Sequence, residues 1–204
     1  MKIYGDVISP FVRTVLVVAA EAGLGERVEH IKETVTSTQA NPKLTAMSPL
    51  GKIPVLETDH HHAIYDSRVI VEYLCHVAGN STLIPDEGVR RFRILTLQAL
   101  GLGIADAAVS YRAEVNARPK GMQWEGWIER QLQRIRDGLD DLERNWETAL
   151  AEVTAGSIAV AVVLSYIDYR IADLNWRTSR PRLAAFHEAF SGRDSMLRTA
   201  LPKA

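Results

Sequence analysis

Near residue 78 the spacing of apolar residues changes character, and this limits the possible folds more than any other feature of the chain. Before that point short strand-like runs mix with helical segments; after it only helical spacing is found. The boundary is expected in Ala78-Gly79-Asn80-Ser81-Thr82-Leu83-Ile84-Pro85-Asp86, a stretch of turn formers. The expected organisation is an α/β domain over 1–77, a linker over 78–87 and an all-helical domain over 88–204. No internal repeat or low-complexity segment interrupts it.

In the first part, Lys2 to Gly5 reads as a short strand. Ser9-Pro10 follows as a helix start, with serine as N-cap and proline at the first helical position, and Gly23 stops that helix after Ala22. Val28 to Glu33 is a weaker strand, and an irregular stretch comes next. Ile53 to Thr58 and His62 to Tyr65 read as a hairpin turned at Asp59-His60-His61. Ser67 then caps a helix carrying Ile70, Val71, Tyr73, Leu74 and Val77 on its apolar side.

In the second part, Phe92, Leu95, Ala99 and Leu102 form one helical stripe, and Ile128, Leu132, Ile135, Leu139, Leu142, Trp146 and Leu150 form another. Ile158 to Ile171 is apolar nearly all round, as suits the central helix of a bundle. Pro181 opens a further helix over Leu183 to Phe190.

The 24 basic and 25 acidic residues leave a formal net charge of -1, so no global field draws in nucleic acid or anionic lipid. Arg90, Arg91 and Arg93, like Arg130, Arg134 and Arg136, lie among acidic neighbours and read as solvated faces. Cys75 is the only cysteine, which excludes an internal disulfide, a CxxC pair and a cysteine-rich zinc site; it reads as a buried core residue. A reducing compartment fits best. His60-His61-His62 reads as an exposed turn, since three neighbours in a hairpin do not converge easily on one ion, and no metal is expected. The opening Met1 to Asp6 does not resemble a secretory signal, and the strongly apolar run Ile158 to Leu164 is far shorter than the ~20 residues of a membrane span. A cytoplasmic protein without membrane or nucleic-acid partners is the expectation.

Three landmarks in order resemble the glutathione S-transferase superfamily: Ser9-Pro10-Phe11-Val12-Arg13, then Ser48-Pro49-Leu50-Gly51-Lys52-Ile53-Pro54-Val55-Leu56, then Asp66-Ser67 opening a helix. The similarity runs the length of the chain and is nearest to small bacterial members with serine at the active-site position. It implies a thioredoxin-like N-terminal domain, a helical C-terminal domain and a homodimer. It also implies a cis peptide bond at Ile53-Pro54, which would turn the backbone groups of Ile53 outward to pair with glutathione as with an added strand.

Conjugation to glutathione needs a thiolate, and a free thiol has a pKa of about 8.5. Lowering it by about two units takes roughly 2.7 kcal/mol of preferential stabilisation of the anion. A helix N-terminus supplies about 0.3 to 2 kcal/mol and a hydroxyl bond to a charged acceptor about 1.5 to 3. Ser9 stands where both meet, as a hydrogen-bond donor to sulfur and not as a covalent nucleophile. Taken alone, Ser9 is simply a helix cap; the resemblance favours the thiolate role, and as an acceptor the hydroxyl can cap while donating to sulfur. The resemblance assigns Ser67 to the α-carboxylate of the γ-glutamyl end and Asp66 to its ammonium, though both can also cap their own helix. Lys52 either meets the glycyl carboxylate or solubilises a loop, and Arg13 either braces Ser9 or points to solvent.

By the same analogy Ile8, Phe11, Asp106, Ser110 and Tyr111 are candidates for the pocket of a small electrophile. Asp106 continues the Phe92 stripe, where a carboxylate must be hydrogen-bonded or face a cleft, and a structural acid is the alternative. One departure from the family is Thr154 followed three residues later by Ser157 in place of an acid, a loss worth about 0.3 to 1 kcal/mol of charge–dipole stabilisation. Glutathione-dependent isomerisation, peroxide reduction or dehalogenation would use the same first-domain residues. A non-enzymatic binding or regulatory module on the same fold is the rival from another class.

Overall fold

The computed structural model describes residues 1–202; residues 203 and 204, the end of the expected helical region, lie outside the described residues. The first region runs β1 (Lys2–Tyr4), α1 (Pro10–Glu21), β2 (Glu29–Ile31), α2 (Pro42–Met47), β3 (Val55–Glu57), β4 (Ala63–Ile64) and α3 (Ser67–Ala78), with a single 3-10 turn over Gly25–Arg27. The sheet order is β2-β1-β3-β4; β1 pairs parallel with β2, and the β1–β3 and β3–β4 pairs are antiparallel. α1 is the crossover between the two parallel strands, which a parallel pair requires.

α2 falls in the stretch expected to be irregular. Asn41 caps it, its side chain accepting from the Lys43 and Leu44 N–H groups at 3.0 and 3.3 Å, and Pro42 is its first residue. Only Leu44 of this helix is fully buried, so the apolar period was too short to register, although the Asn-Pro start was there. A second correction concerns α3: Asp66 is the extended N-cap, accepting from Arg68 N–H at 3.0 Å, and Ser67 is the first helical residue.

The second region is helical: α4 (Gly88–Asn116), α5 (Glu125–Asn145), α6 (Glu147–Leu150), α7 (Ala155–Arg170), α8 (Pro181–Ser191) and α9 (Asp194–Arg198). α7 is buried nearly all round, as its composition predicts. Its Thr154–Ser157 box is complete: Thr154 N–H donates to Ser157 Oγ at 2.9 Å and Ser157 N–H to Thr154 Oγ1 at 3.3 Å, so a hydroxyl replaces the family's acid. The stripe starting at Ile128 is right in face, but the helix breaks at Trp146, where α6 begins.

The stripe assigned to α4 is half right: Leu102 is buried and Leu95 packs against the core, but Phe92 is 66% exposed and Ala99 is exposed, and the buried face also takes in Ile94, Leu97, Gln98, Gly101, Ala105 and Ala108. α4 is also long and apolar enough, by length and composition, to cross a membrane, unlike the shorter run singled out from the sequence. Its buried face packs against α5 and α7.

One hydrophobic cluster joins the two regions, with Ile3, Val12, Val15 and Leu74 on one side and Ile94, Ile158, Val162 and Phe190 on the other. Leu83 and Ile84, between α3 and α4, are buried in it, and Leu83 O accepts from Ala155 N–H at 3.0 Å. The two regions therefore share a core.

Candidate functional site

The geometry at the start of α1 depends on Gly5. Its φ is +149°, and a Cβ there would stand 2.4 Å from Val12 Cγ2 and 3.1 Å from Ile53 Cβ. Only glycine lets the end of β1 pass this close, and the passage sets the first turn of α1 against Ile53. Asp6 then accepts Ile8 N–H on its carboxylate and Ser9 N–H on its backbone oxygen, both at 2.9 Å, which closes the turn into the helix.

Ser9 is extended and half-buried, the N-cap of α1. Its Oγ accepts from Val12 N–H at 3.5 Å, beyond the usual range for such a bond. The cap is therefore weak, and the hydroxyl proton remains available for donation. The Ile53–Pro54 peptide is cis, as the resemblance implies, and so is Tyr65–Asp66.

Ser9 lines a cleft of about 770 Å³ between the two regions, together with Ile8, Phe11, Lys52, Ile53 and Asp106. Asp106 is exposed to this cleft, the setting in which a carboxylate at this position carries no burial cost. Asp66 and Ser67 stand at the start of α3 and are not among the lining residues; Asp66 is exposed and Ser67 buried. Ser110 borders a neighbouring hollow of about 720 Å³ with Glu114, Trp124 and Trp127. Tyr111 packs against the helical core.

Arg13 takes neither of its two expected roles. It is 5% exposed, donating from Nη2 to Met196 O at 3.2 Å and from Nε to Thr199 Oγ1 at 3.4 Å, so it ties α1 to the α9 segment. Burial lowers its pKa to about 10. Cys75 is buried as expected, and burial, with Glu72 nearby, pushes its thiol up to about 11, far from a reactive thiolate. His60, His61 and His62 are exposed at the hairpin turn, with His61 Nδ1 2.7 Å from Glu57 Oε1.

Sequence reasoning missed several lining residues, among them Val35 and Leu50 in loops, Val109, Arg112 and Asn116 on α4, and Tyr166 and Arg170 on α7. A signal existed on α4: positions three or four apart from Asp106 lead to Val109, Ala113 and Asn116, and away from Tyr111.

A second cluster invites a catalytic reading and does not support it. Ser165 Oγ lies 2.9 Å from His187 Nε2, and Asp168 Oδ2 lies 4.0 Å from His187 Nδ1. Arg177 Nη2, however, donates to His187 Nδ1 at 2.9 Å, which leaves the ring proton on Nε2, facing Ser165. Ser165 in turn donates to Ala161 O at 3.1 Å. With its proton on the wrong nitrogen, His187 has no lone pair for the serine and cannot act as its base. Burial, opposed by Asp168 and helped by Arg177 and Arg13, lowers the His187 pKa to about 4. The cluster is a structural network built round a neutral histidine and the Arg177–Asp168 ion pair.

Residues 8–77 match the model of the glutathione S-transferase N-terminal domain, and residues 125–189 that of the C-terminal domain. The chain is 33% identical, over the whole of both proteins, to the uncharacterized GST-like protein YibF of Escherichia coli K12. A glutathione transferase family member from Pseudomonas fluorescens Pf-5, solved with bound glutathione, superposes with a TM-score of 0.96 at 39% identity, covering 99% of each chain. A structure from the same organism with bound S-(propanoic acid)-glutathione gives 0.91 at 38% over all of both chains. A glutathione-bound transferase of Methylobacillus flagellatus KT gives 0.86 at 35% over 98% of each.

Proposed function

The chain belongs to the glutathione S-transferase superfamily, and from that premise we propose that it binds glutathione beside Ser9 and activates the thiol as thiolate for attack on a small electrophile. The observation that carries this reading is the Ser9 hydroxyl. It opens on a cleft, accepts only a 3.5 Å bond from its own helix, and sits at the N-terminus of a 12-residue helix. An anion there meets a donor hydroxyl and the positive end of the helix dipole together. In this reading Ile53 pairs with the peptide backbone, Lys52 meets the glycyl carboxylate, and Asp66 and Ser67 hold the γ-glutamyl end. The glutathione complexes of the Pseudomonas and Methylobacillus proteins support it, and the propanoic acid conjugate shows that one such relative holds glutathione with a substituent on sulfur.

The test is glutathione titration by calorimetry at neutral pH, with thiolate absorbance recorded in the complex. The native protein is expected to bind saturably. Ser67→Ala should weaken binding, and Ser9→Ala should lower the acid dissociation constant of the bound thiol about tenfold or more, as loss of one charge-assisted bond predicts. Absence of binding at millimolar glutathione would favour the non-enzymatic module instead.

A homodimer is part of the same proposal. Val69 on α3 and Val89 and Phe92 on α4 are 52%, 86% and 66% exposed, and a 2.5 Å Arg91–Glu72 ion pair links the two helices. Light scattering should report a dimer for the native chain and a monomer for Phe92→Glu; a dimer in both would remove this face from the proposal.

A further inference from the structure

Two cations of the cleft are given no role by the glutathione reading above. Arg112 on α4 and Arg170 at the end of α7 both line it and are both half-buried. Among the described residues neither is ion-paired, whereas the other half-buried or buried arginines are engaged. Arg91 meets Glu72, Arg136 meets Glu129, Arg180 meets Asp140, and Arg13 is held by backbone and hydroxyl oxygens. An arginine that lines a cleft and has no anion of its own can take one from a ligand.

Both arginines line the cleft together with Tyr166. Tyr166, one turn before Arg170 on α7, is buried; burial raises its phenol pKa while Arg170 and Arg112 both act on it in the opposite sense. The Arg170 guanidinium also lies 4.4 Å over the Tyr169 ring, which holds it by a cation–π contact. Elsewhere in the cleft are Ser9 and the apolar side chains of Phe11, Val35 and Leu50, the last 67% exposed. Asp106, the carboxylate of α4 in this cleft, is six residues before Arg112, about 9 Å along the helix axis. It does not neutralise the pair, and its charge disfavours an acceptor bound the other way round.

We infer that Arg112 and Arg170 form a carboxylate-binding pocket for the acceptor, so that the substrates are electrophiles with an apolar body and a carboxylate remote from the reacting carbon. This rests on the glutathione reading above. In the reaction the thiol proton passes to solvent and the thiolate sulfur forms a C–S bond to the electrophilic carbon. The carbon–halogen bond of a halogenated acceptor breaks, and halide leaves with the electron pair. The arginines touch only the far end of the acceptor and give it specificity and orientation.

The test uses two conjugates that differ only at that end, S-(4-carboxybenzyl)glutathione and S-(4-carbamoylbenzyl)glutathione, titrated by calorimetry beside glutathione itself. The native protein is expected to bind the carboxylate about tenfold more tightly than the amide. Arg112→Gln and Arg170→Gln should each bring the ratio close to one, and Arg170→Lys, which keeps charge without the planar fork, should retain part of it. Thermal unfolding of each variant checks that it is folded. A native ratio near one, a ratio that survives both glutamine variants, or binding of glutathione but of neither conjugate overturns the pocket alone. Failure of glutathione itself to bind overturns the reading beneath it as well.

Discussion

In the first region the cleft is met by the ends of regular elements: Ser9 at the start of α1, and Lys52 and Ile53 ahead of β3. In the second region it is met by helix faces, with Asp106, Val109 and Arg112 in the middle of α4 and Tyr166 and Arg170 along α7. An element end is fixed by local chemistry, such as a cap, a proline or a glycine, and leaves a local mark in the sequence. A helix face is fixed by what packs against it, which can lie sixty residues away. The two halves of one site are therefore held by different means and fail under different substitutions.

The seam between α4 and α7 should produce the largest failure. A Cβ on Gly156 would lie 2.8 Å from Leu97 Cβ and 2.9 Å from Ile94 O, and one on Gly101 would lie 3.0 Å from the backbone of Ala159 and Val160. Gly156→Val is expected to lower the free energy of unfolding by about 3 kcal/mol, read from denaturant midpoints, because neither contact can yield easily. Gly103→Ala, on an exposed side of α4 with nothing within 4 Å of the new methyl, should instead stabilise by up to about 1 kcal/mol. Equal small effects at both positions would show that glycine does not set the approach of these helices.

These glycines also explain what could be read in advance. Strands, hairpin, α1, α3 and the Ser9 cap were legible because each has a bounded signal. The α4 face was legible only in part, since a stripe drawn through Phe92, Leu95, Ala99 and Leu102 counts apolar side chains, whereas Gly101 and Gly156 direct the packing and carry none. Of the acceptor-wall candidates taken by analogy, Ile8, Phe11 and Asp106 line the cleft and Ser110 and Tyr111 lie off it, while Arg112 and Arg170 were not singled out. Arg13 was misread for a related reason. Its partners Met196 and Thr199 lie at the far end of the sequence, and nothing local to Ser9 announces them.

The second region should also be the more sensitive to mild acid. His187 is neutral in the folded protein with a pKa of about 4, below its ordinary 6.5, chiefly through burial, with Arg177 and Arg13 adding to the effect and Asp168 opposing it. On acidification the unfolded chain takes up this proton first. The histidine's contribution is thus fully present above about pH 6.5, falls as pH drops toward about 4 and is flat below, with a span of at most about 3 kcal/mol. His187→Gln keeps a donor toward Ser165 and an acceptor for Arg177 without titrating. Its unfolding free energy relative to the native chain should therefore rise as pH falls from about 6.5 to 4. A constant difference across that window would mean the ring is not held neutral.

The smallest effect gives the sharpest contrast, because both regions use a hydroxyl cap for one of their helices. Thr154 and Ser157 are buried and bonded reciprocally, and Ser157 Oγ also donates to Glu152 O at 2.7 Å. Ser9 is half-buried, with a single 3.5 Å bond to its helix. Thr154→Ala should cost about 1 kcal/mol of stability, since it strips a buried N–H of its partner. Ser9→Ala should cost less than about 0.5 kcal/mol, since its bond is already near the limit of hydrogen bonding. On glutathione the order should reverse, with Thr154→Ala keeping the thiolate signal and Ser9→Ala losing it. If Ser9→Ala instead proved the more destabilising, the hydroxyl would be occupied with its helix, and the stabilisation of a thiolate would have to come from the helix N-terminus alone.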